Sequence, residues 1–128
     1  MFAKETIAFI GAGSMAEAMI AGLLKNEIVT PRQIIVTNKS NQNRRIELEK
    51  KYKIRTTNIL EAAVQTADIL ILAMKPKDIR AVTTKLKGKI SKKHVVMSVL
   101  DGISTSFLEE ELAVELPIIR VMPNTSSM

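Results

Sequence analysis

The sequence predicts an α/β domain: a mainly parallel sheet, doubly wound, with helices on both faces. Three observations carry this. Short apolar runs alternate with helix-forming segments through all 128 residues, the pattern of successive βαβ units joined by right-handed crossovers. Hydrophobic residues make up 46% of the chain but aromatics only 3%, so the core is built from Ile, Leu, Val, Ala and Met, as suits strands buried on both faces. Finally, a glycine turn, Gly11-Ala12-Gly13-Ser14-Met15-Ala16, joins the first apolar run directly to the first helical segment. The length fits one domain with a sizeable core.

The elements follow in order. Ile7 to Ile10 is continuously apolar, hence a strand buried on both faces. Ser14 to Lys25 is helical, and Met15, Ala18, Met19, Gly22 and Leu23 recur at the spacing of one packing stripe. Thr30-Pro31 marks a turn before a strand at 33–37. A polar loop, Asn38 to Asn41, leads to a charged helix from Arg44 to Tyr52 in which Ile46 and Leu48 are apolar. Ile54 to Thr57 is a weak third strand. Asn58-Ile59-Leu60-Glu61 has the form of a capping box with Asn58 as the cap, opening a short helix to Thr66. Asp68 to Met74 is the most apolar strand and is expected at the sheet centre; Lys75-Pro76 stops it. Lys77 to Leu86 reads as helix, Gly88 as a turn and Val95 to Val99 as strand. Ser106 to Glu109 is a second capping-box pattern, opening a helix to about Val114, and Pro117 to Met122 is the last strand.

The glycine turn carries the chemistry. Gly11 allows a sharp turn off the strand, and Gly13, lacking a Cβ, lets a phosphate approach the backbone. Ala16 stands at the third position of G-x-G-x-x-G, where any small residue permits helix–strand packing. The free N–H groups of the helix start, with the helix dipole behind them, face an anion. A glycine fingerprint alone is weak evidence, since a ligand-free tight turn has the same form; the strand before it and the helix after it favour a pyrophosphate site in a Rossmann-type domain.

Composition excludes several classes. There is no cysteine and only one histidine, His94, so a disulfide, a thiolate metal site and a multi-histidine metal site are ruled out, and no metal is expected. His94 precedes an apolar run and reads as a loop residue rather than a catalyst. Net charge is +6, but three Phe and one Tyr give nucleic-acid bases little to stack on. Most of the lysines and arginines read as solvated helix faces, with a few left for a polyanionic cofactor, so no nucleic-acid partner is expected. No apolar run approaches the ~20 residues of a membrane span, and the first residues lack a signal-peptide pattern. The expected compartment is the cytoplasm, with no membrane partner.

In NAD-binding units an Asp or Glu ending the second strand bonds the ribose 2′-hydroxyl. Here Val36 to Arg44 contains no acid. A carboxylate would repel a 2′-phosphate, whereas Lys39 with the donors of Asn38 and Ser40 would attract it. The loop therefore points to NADP (NADPH when reduced), with Arg44 as a second cation if the next helix starts close by. An adenosylmethionine site also uses a glycine loop, but would want an acid here.

Phe9 to Ala16, Val36 to Asn41, Leu72-Ala73-Met74-Lys75-Pro76 and Ile119-Arg120-Val121-Met122-Pro123-Asn124-Thr125 together resemble pyrroline-5-carboxylate reductase. The resemblance covers essentially the whole chain, but only the amino-terminal half of such an enzyme. It implies NADPH-linked reduction of the ring imine of 1-pyrroline-5-carboxylate to proline. It also implies that Gly11, Ala12, Gly13, Ser14 and Met15 cradle the pyrophosphate, and that Asn38, Lys39 and Ser40 surround the 2′-phosphate. Asn58 falls near the adenosine, although a helix cap explains it equally well. Ala73, Met74, Lys75 and Pro76 run beside the ribose and nicotinamide, with strand termination as the other reading of Lys75-Pro76. Met122, Pro123 and Asn124 match the turn facing the reacting ring; no catalytic residue is assigned. The family's helical carboxyl-terminal domain, which builds a homo-oligomer and most of the substrate site, is absent from these 128 residues. On that expectation the chain alone does not turn over.

One stretch departs from the family: Val99-Leu100-Asp101-Gly102 carries an acid where a small residue is usual. That leaves the substrate open. Two other readings stand beside the first: another NADP-linked reductase, such as a β-hydroxyacid dehydrogenase or a deazaflavin–NADP oxidoreductase, and a non-catalytic NADP-binding regulatory or competence-related relative.

Overall fold

The computed structural model describes residues 4–100, 102–113 and 117–121. Among these residues six strands form one all-parallel sheet: β1 (Ile7–Ile10), β2 (Ile34–Thr37), β3 (Arg55–Thr57), β4 (Ile69–Leu72), β5 (Val95–Ser98) and β6 (Ile118–Arg120). Their spatial order is β3-β2-β1-β4-β5-β6. The chain winds outward from β1 to β3, then returns to the other side of β1 and winds outward again. The expected doubly wound fold is borne out, and the reversal point lies between β1 and β4.

The intervening helices are α1 (Ser14–Lys25), α2 (Gln42–Tyr52), α3 (Leu60–Thr66), α4 (Ile79–Leu86) and α5 (Thr105–Leu112). They divide between the faces because side chains alternate along each strand. Ile7, Phe9, Ile69 and Ile71 point to one side and meet Ala16 and Ile20 of α1 and Leu48 of α2. Ala8, Ile10, Leu70 and Leu72 point to the other and meet α3, α4 and α5 through Val64, Leu86, Leu108 and Leu112. Every residue of β1, β2 and β4 is buried, which explains the absence of a polar–apolar alternation in their sequences.

Several boundaries shift from the sequence expectation. The buried stripe of α1 runs through Ala16 and Ile20, with Met19, Leu23 and Leu24 flanking it; Met15 and Ala18 lie to one side. Asn58 is not a helix cap. Helix α3 starts at Leu60 behind an extended Ile59, with no side-chain cap, and it is Thr57 Oγ1 that accepts the Ile59 N–H, at 3.1 Å. Seating Leu60, Ala63 and Val64 in the core fixes the helix start. At α5 the cap is Ser104, two residues before Ser106; its Oγ accepts the Phe107 N–H at 3.1 Å. Ser106 already lies within the helix. The segment from Pro76 is not one continuous helix: a 3-10 turn at Pro76–Asp78 precedes α4. β4 ends at Leu72, so Ala73 and Met74 belong to the loop beyond the sheet. Val114 and Met122, expected to end α5 and the last strand, lie outside the described residues.

His94 lies in a loop, as expected, but it is buried. Its Nδ1 accepts the Ser91 N–H at 3.0 Å. That leaves Nε2 to carry the proton of the neutral ring and donate to the Val64 carbonyl, 3.1 Å away. The ring ties the end of α3 to the entry of β5.

Candidate cofactor site

Ligands on open α/β sheets bind beyond the carboxyl ends of the strands, where the winding reverses. Here that place is the end of β1, and three strand ends converge on it. The Gly11 N–H donates to the Thr37 carbonyl at the end of β2, at 3.0 Å. The Ala73 N–H, just past β4, donates to the Ile10 carbonyl at 2.8 Å. Gly11 has φ +114, a conformation that favours glycine. A Cβ there would lie 2.5 Å from the Ala73 carbonyl oxygen, so the turn is pressed against the β4 loop.

Gly13 is different. It is the N-cap of α1 with φ −83 and ψ −170, ordinary extended backbone, and no side chain caps the helix. A Cβ at Gly13 would meet nothing within 4 Å. The helix start therefore opens onto free space, with its first N–H groups unpaired by helix geometry. Ser14 is exposed, Met15 half-buried and Ala16 fully buried. Ala16 thus has the packing role expected of the third fingerprint position.

Past β2, Lys39 and Ser40 are exposed and have no side-chain partner among the described residues. Asn38 is already committed: its Nδ2 donates to the Asn41 carbonyl at 3.1 Å, and its Oδ1 accepts from Arg45 Nη1 at 2.9 Å. Asn38 shapes the loop, and the exposed donors are Lys39 and Ser40. On the other side of β1, Ala73 is half-buried and Met74 is buried in the core, so Met74 offers this edge its backbone only. Lys75 and Pro76 are exposed; Lys75 is extended, as a residue before proline must be. Asn58 is exposed. Met122, Pro123, Asn124 and Asp101 lie outside the described residues. A separate depression past β5 is lined by Gly102, Ile103, Ser104 and Phe107, none of them from the glycine turn.

The sequence reading missed a cluster beneath the turn. Arg44, the expected second cation for a phosphate, points instead at the glycine loop. Its Nε donates to the Ala12 carbonyl at 2.6 Å and its Nη2 to the Gly13 carbonyl at 3.3 Å and to Glu17 at 2.8 Å. Nη1 pairs with Glu47. The Glu17 carboxylate also accepts from Tyr52 Oη at 2.6 Å and Lys51 Nζ at 2.9 Å. The Tyr52 and Lys51 hydrogen bonds, then Arg44, hold the Glu17 pKa at about 2 against an ordinary 4.5, despite burial pushing it up. Burial, then the Glu17 carboxylate, pushes the Tyr52 phenol up. These residues come from two helices 27 positions apart in sequence, and no local spacing announces such a pair. Among the described residues no group of three or more His, Cys, Asp or Glu could hold a metal ion. No helix there is long and apolar enough to cross a membrane.

Residues 6–102 match the family described as NADP oxidoreductase, coenzyme F420-dependent. The chain belongs to that family. Within this oxidoreductase family it is similar to pyrroline-5-carboxylate reductase 1 of Bacillus subtilis, at 47% identity over 128 residues, which is 100% of this chain and 43% of that one. It is also similar to the structure of a pyrroline-5-carboxylate reductase from Coxiella burnetii, with TM-score 0.87 and 35% identity over 96% of this chain and 45% of that one. The structure of the Plasmodium falciparum pyrroline carboxylate reductase, which has NADP bound, shares the fold at TM-score 0.74 and 21% identity, over 95% of this chain and 43% of that one. The resemblance expected from the sequence motifs is borne out, and the NADP expected from the acid-free loop agrees with the family. The chain spans under half the length of the curated relatives it matches.

Proposed function

We propose that this chain is the NADPH-binding domain of a reductase that converts 1-pyrroline-5-carboxylate to L-proline. The observation that carries the reading is the open helix start at Gly13, at the reversal of the sheet, beside an exposed lysine and serine with no acid between them. Residues 1–128 form the dinucleotide-binding domain, and a helical domain outside them supplies the dimer contacts and most of the substrate site. The turn from Gly11 to Met15 holds the pyrophosphate through the backbone N–H groups past Gly11, whose own N–H is given to Thr37. Lys39 and Ser40 bind the 2′-phosphate on a loop that Asn38 shapes. Asn58 lies toward the adenosine, and the backbone of Ala73 and Met74, with Lys75 and Pro76, lines the ribose and nicotinamide side. Met122, Pro123 and Asn124 belong to the turn that faces the reacting ring. When bound, NADPH supplies the hydride for the imine carbon, and the imine nitrogen ends protonated. The protein's part is to bind, orient and exclude water. The same reading has the reductase working in the cytoplasm as a homo-oligomer, with neither nucleic acid nor membrane as partner.

The test is an assay of the full-length protein with 1-pyrroline-5-carboxylate, following NADPH absorbance and proline together. One proline formed per NADPH consumed is expected. NADPH binding without any proline would contradict the reading and favour a non-catalytic NADP sensor.

A further inference from the structure

We propose that Arg44 is a positioning residue that sets the glycine turn for the pyrophosphate of either dinucleotide, and does not read the 2′-phosphate. The inference rests on the cofactor reading above. In a trans peptide the carbonyl of one residue and the N–H of the next point in opposite directions, and the described chain has no cis peptide bonds. Arg44 holds the carbonyls of Ala12 and Gly13 from below the turn. The N–H groups of Gly13 and Ser14, on the same two peptides, must therefore point away from Arg44, to the side where a Cβ at Gly13 would meet nothing. Successive N–H groups aimed one way make an anion-binding concavity.

The guanidinium is held in turn. Glu17 and Glu47 take two of its other donors, and its side chain is only 20% exposed. Glu17 is fixed by Lys51 and Tyr52. Arg44 is thus engaged on the inner side of the turn and has no freedom to swing to the loop after β2 without losing several bonds. A lysine cannot replace it: one ammonium has no planar fork to span two carbonyls and a carboxylate.

The experiment measures the affinities of NADPH, NADH and adenosine 2′-monophosphate for the wild type, Arg44→Lys and Glu17→Gln. The mononucleotide carries the 2′-phosphate but no pyrophosphate. Arg44→Lys is expected to weaken NADPH and NADH by the same factor, roughly tenfold, equivalent to one hydrogen bond to a charged group. Their ratio and the mononucleotide affinity should stay unchanged. Glu17→Gln, which loosens the same clamp, should give the same pattern at smaller amplitude and keeps the test open if Arg44→Lys folds poorly. A loss confined to NADPH and the mononucleotide would overturn the proposal, because Arg44 would then read the 2′-phosphate. An equal loss for all three ligands, or no loss, would overturn it too, the first by showing a general structural role. If the wild type binds neither dinucleotide, the cofactor reading itself fails, which the wild-type titration shows independently of any variant.

Discussion

A Cβ built on Gly11 lies 2.5 Å from the carbonyl oxygen of Ala73. The same Gly11 donates its N–H to Thr37. One residue therefore locks the ends of β1, β2 and β4 together, and its φ of +114 suits no other side chain. Gly11→Ala should cost about 2 to 5 kcal/mol, from the unfavourable backbone angle and a clash with backbone that cannot move aside. Urea denaturation measures it, and a variant as stable as the wild type would refute the lock.

Gly13→Val should behave in the opposite way. Its φ of −83 suits valine, and the space around it is open, so stability should change by no more than about 1 kcal/mol. The added side chain would occupy the place assigned to the pyrophosphate. NADPH affinity should fall by more than roughly tenfold. A folded Gly13→Val protein that binds NADPH normally would move the anion elsewhere.

The Glu17 cluster gives the fold a pH dependence. The folded-state pKa of Glu17 is about 2, below the ordinary 4.5. Its contribution is fully present above the unfolded pKa and is lost as pH falls from about 4.5 toward 2. With its side chain 21% exposed, the contribution at neutral pH is on the order of 2 kcal/mol. Glu17→Gln should be less stable than the wild type at pH 7, with the gap closing across that acid window. A gap that stays constant with pH would contradict the account.

His94 offers a test of the other face. Replacing it by alanine strands the part-buried Ser91 N–H and takes one donor from the Val64 carbonyl, which keeps the Ala67 N–H at 3.3 Å. A loss of about 1 to 3 kcal/mol follows from the one unsatisfied group, read by urea denaturation. A loss below about 0.5 kcal/mol would mean that water takes over the Ser91 bond.

How far the sequence reached depended on whether the signal was local. The uninterrupted apolar runs Ile7 to Ile10 and Ile69 to Leu72 showed the central strands, because a strand buried on both faces has no polar alternation to confuse it. The Gly11 to Ala16 turn was legible for the same reason. Capping was harder. Thr57, Asn58, Ser104, Thr105 and Ser106 are all competent polar residues, and burial of Leu60 and Leu108 decided where each helix began. The Glu17–Arg44 pair was not legible, since it forms only when α1 and α2 lie side by side on one face of the sheet. The role of Asn38 changed likewise: its amide is used by Arg45 and Asn41, partners that a polar-loop composition does not reveal.

The loop after β2 tests the central claim most directly. Lys39 and Ser40 are exposed, and each hydrogen bond to a 2′-phosphate contributes roughly 1.5 to 3 kcal/mol before screening by solvent. Two such contacts, discounted for exposure, give a preference for NADPH over NADH on the order of 30- to 150-fold. Calorimetric titration of both cofactors into the wild type and Lys39→Glu is the measurement. The wild type should show that preference, weakening as salt is raised, and Lys39→Glu should lose most of it while still binding NADH. Equal affinities in the wild type, or a Lys39→Glu protein that keeps its preference for NADPH, would contradict it.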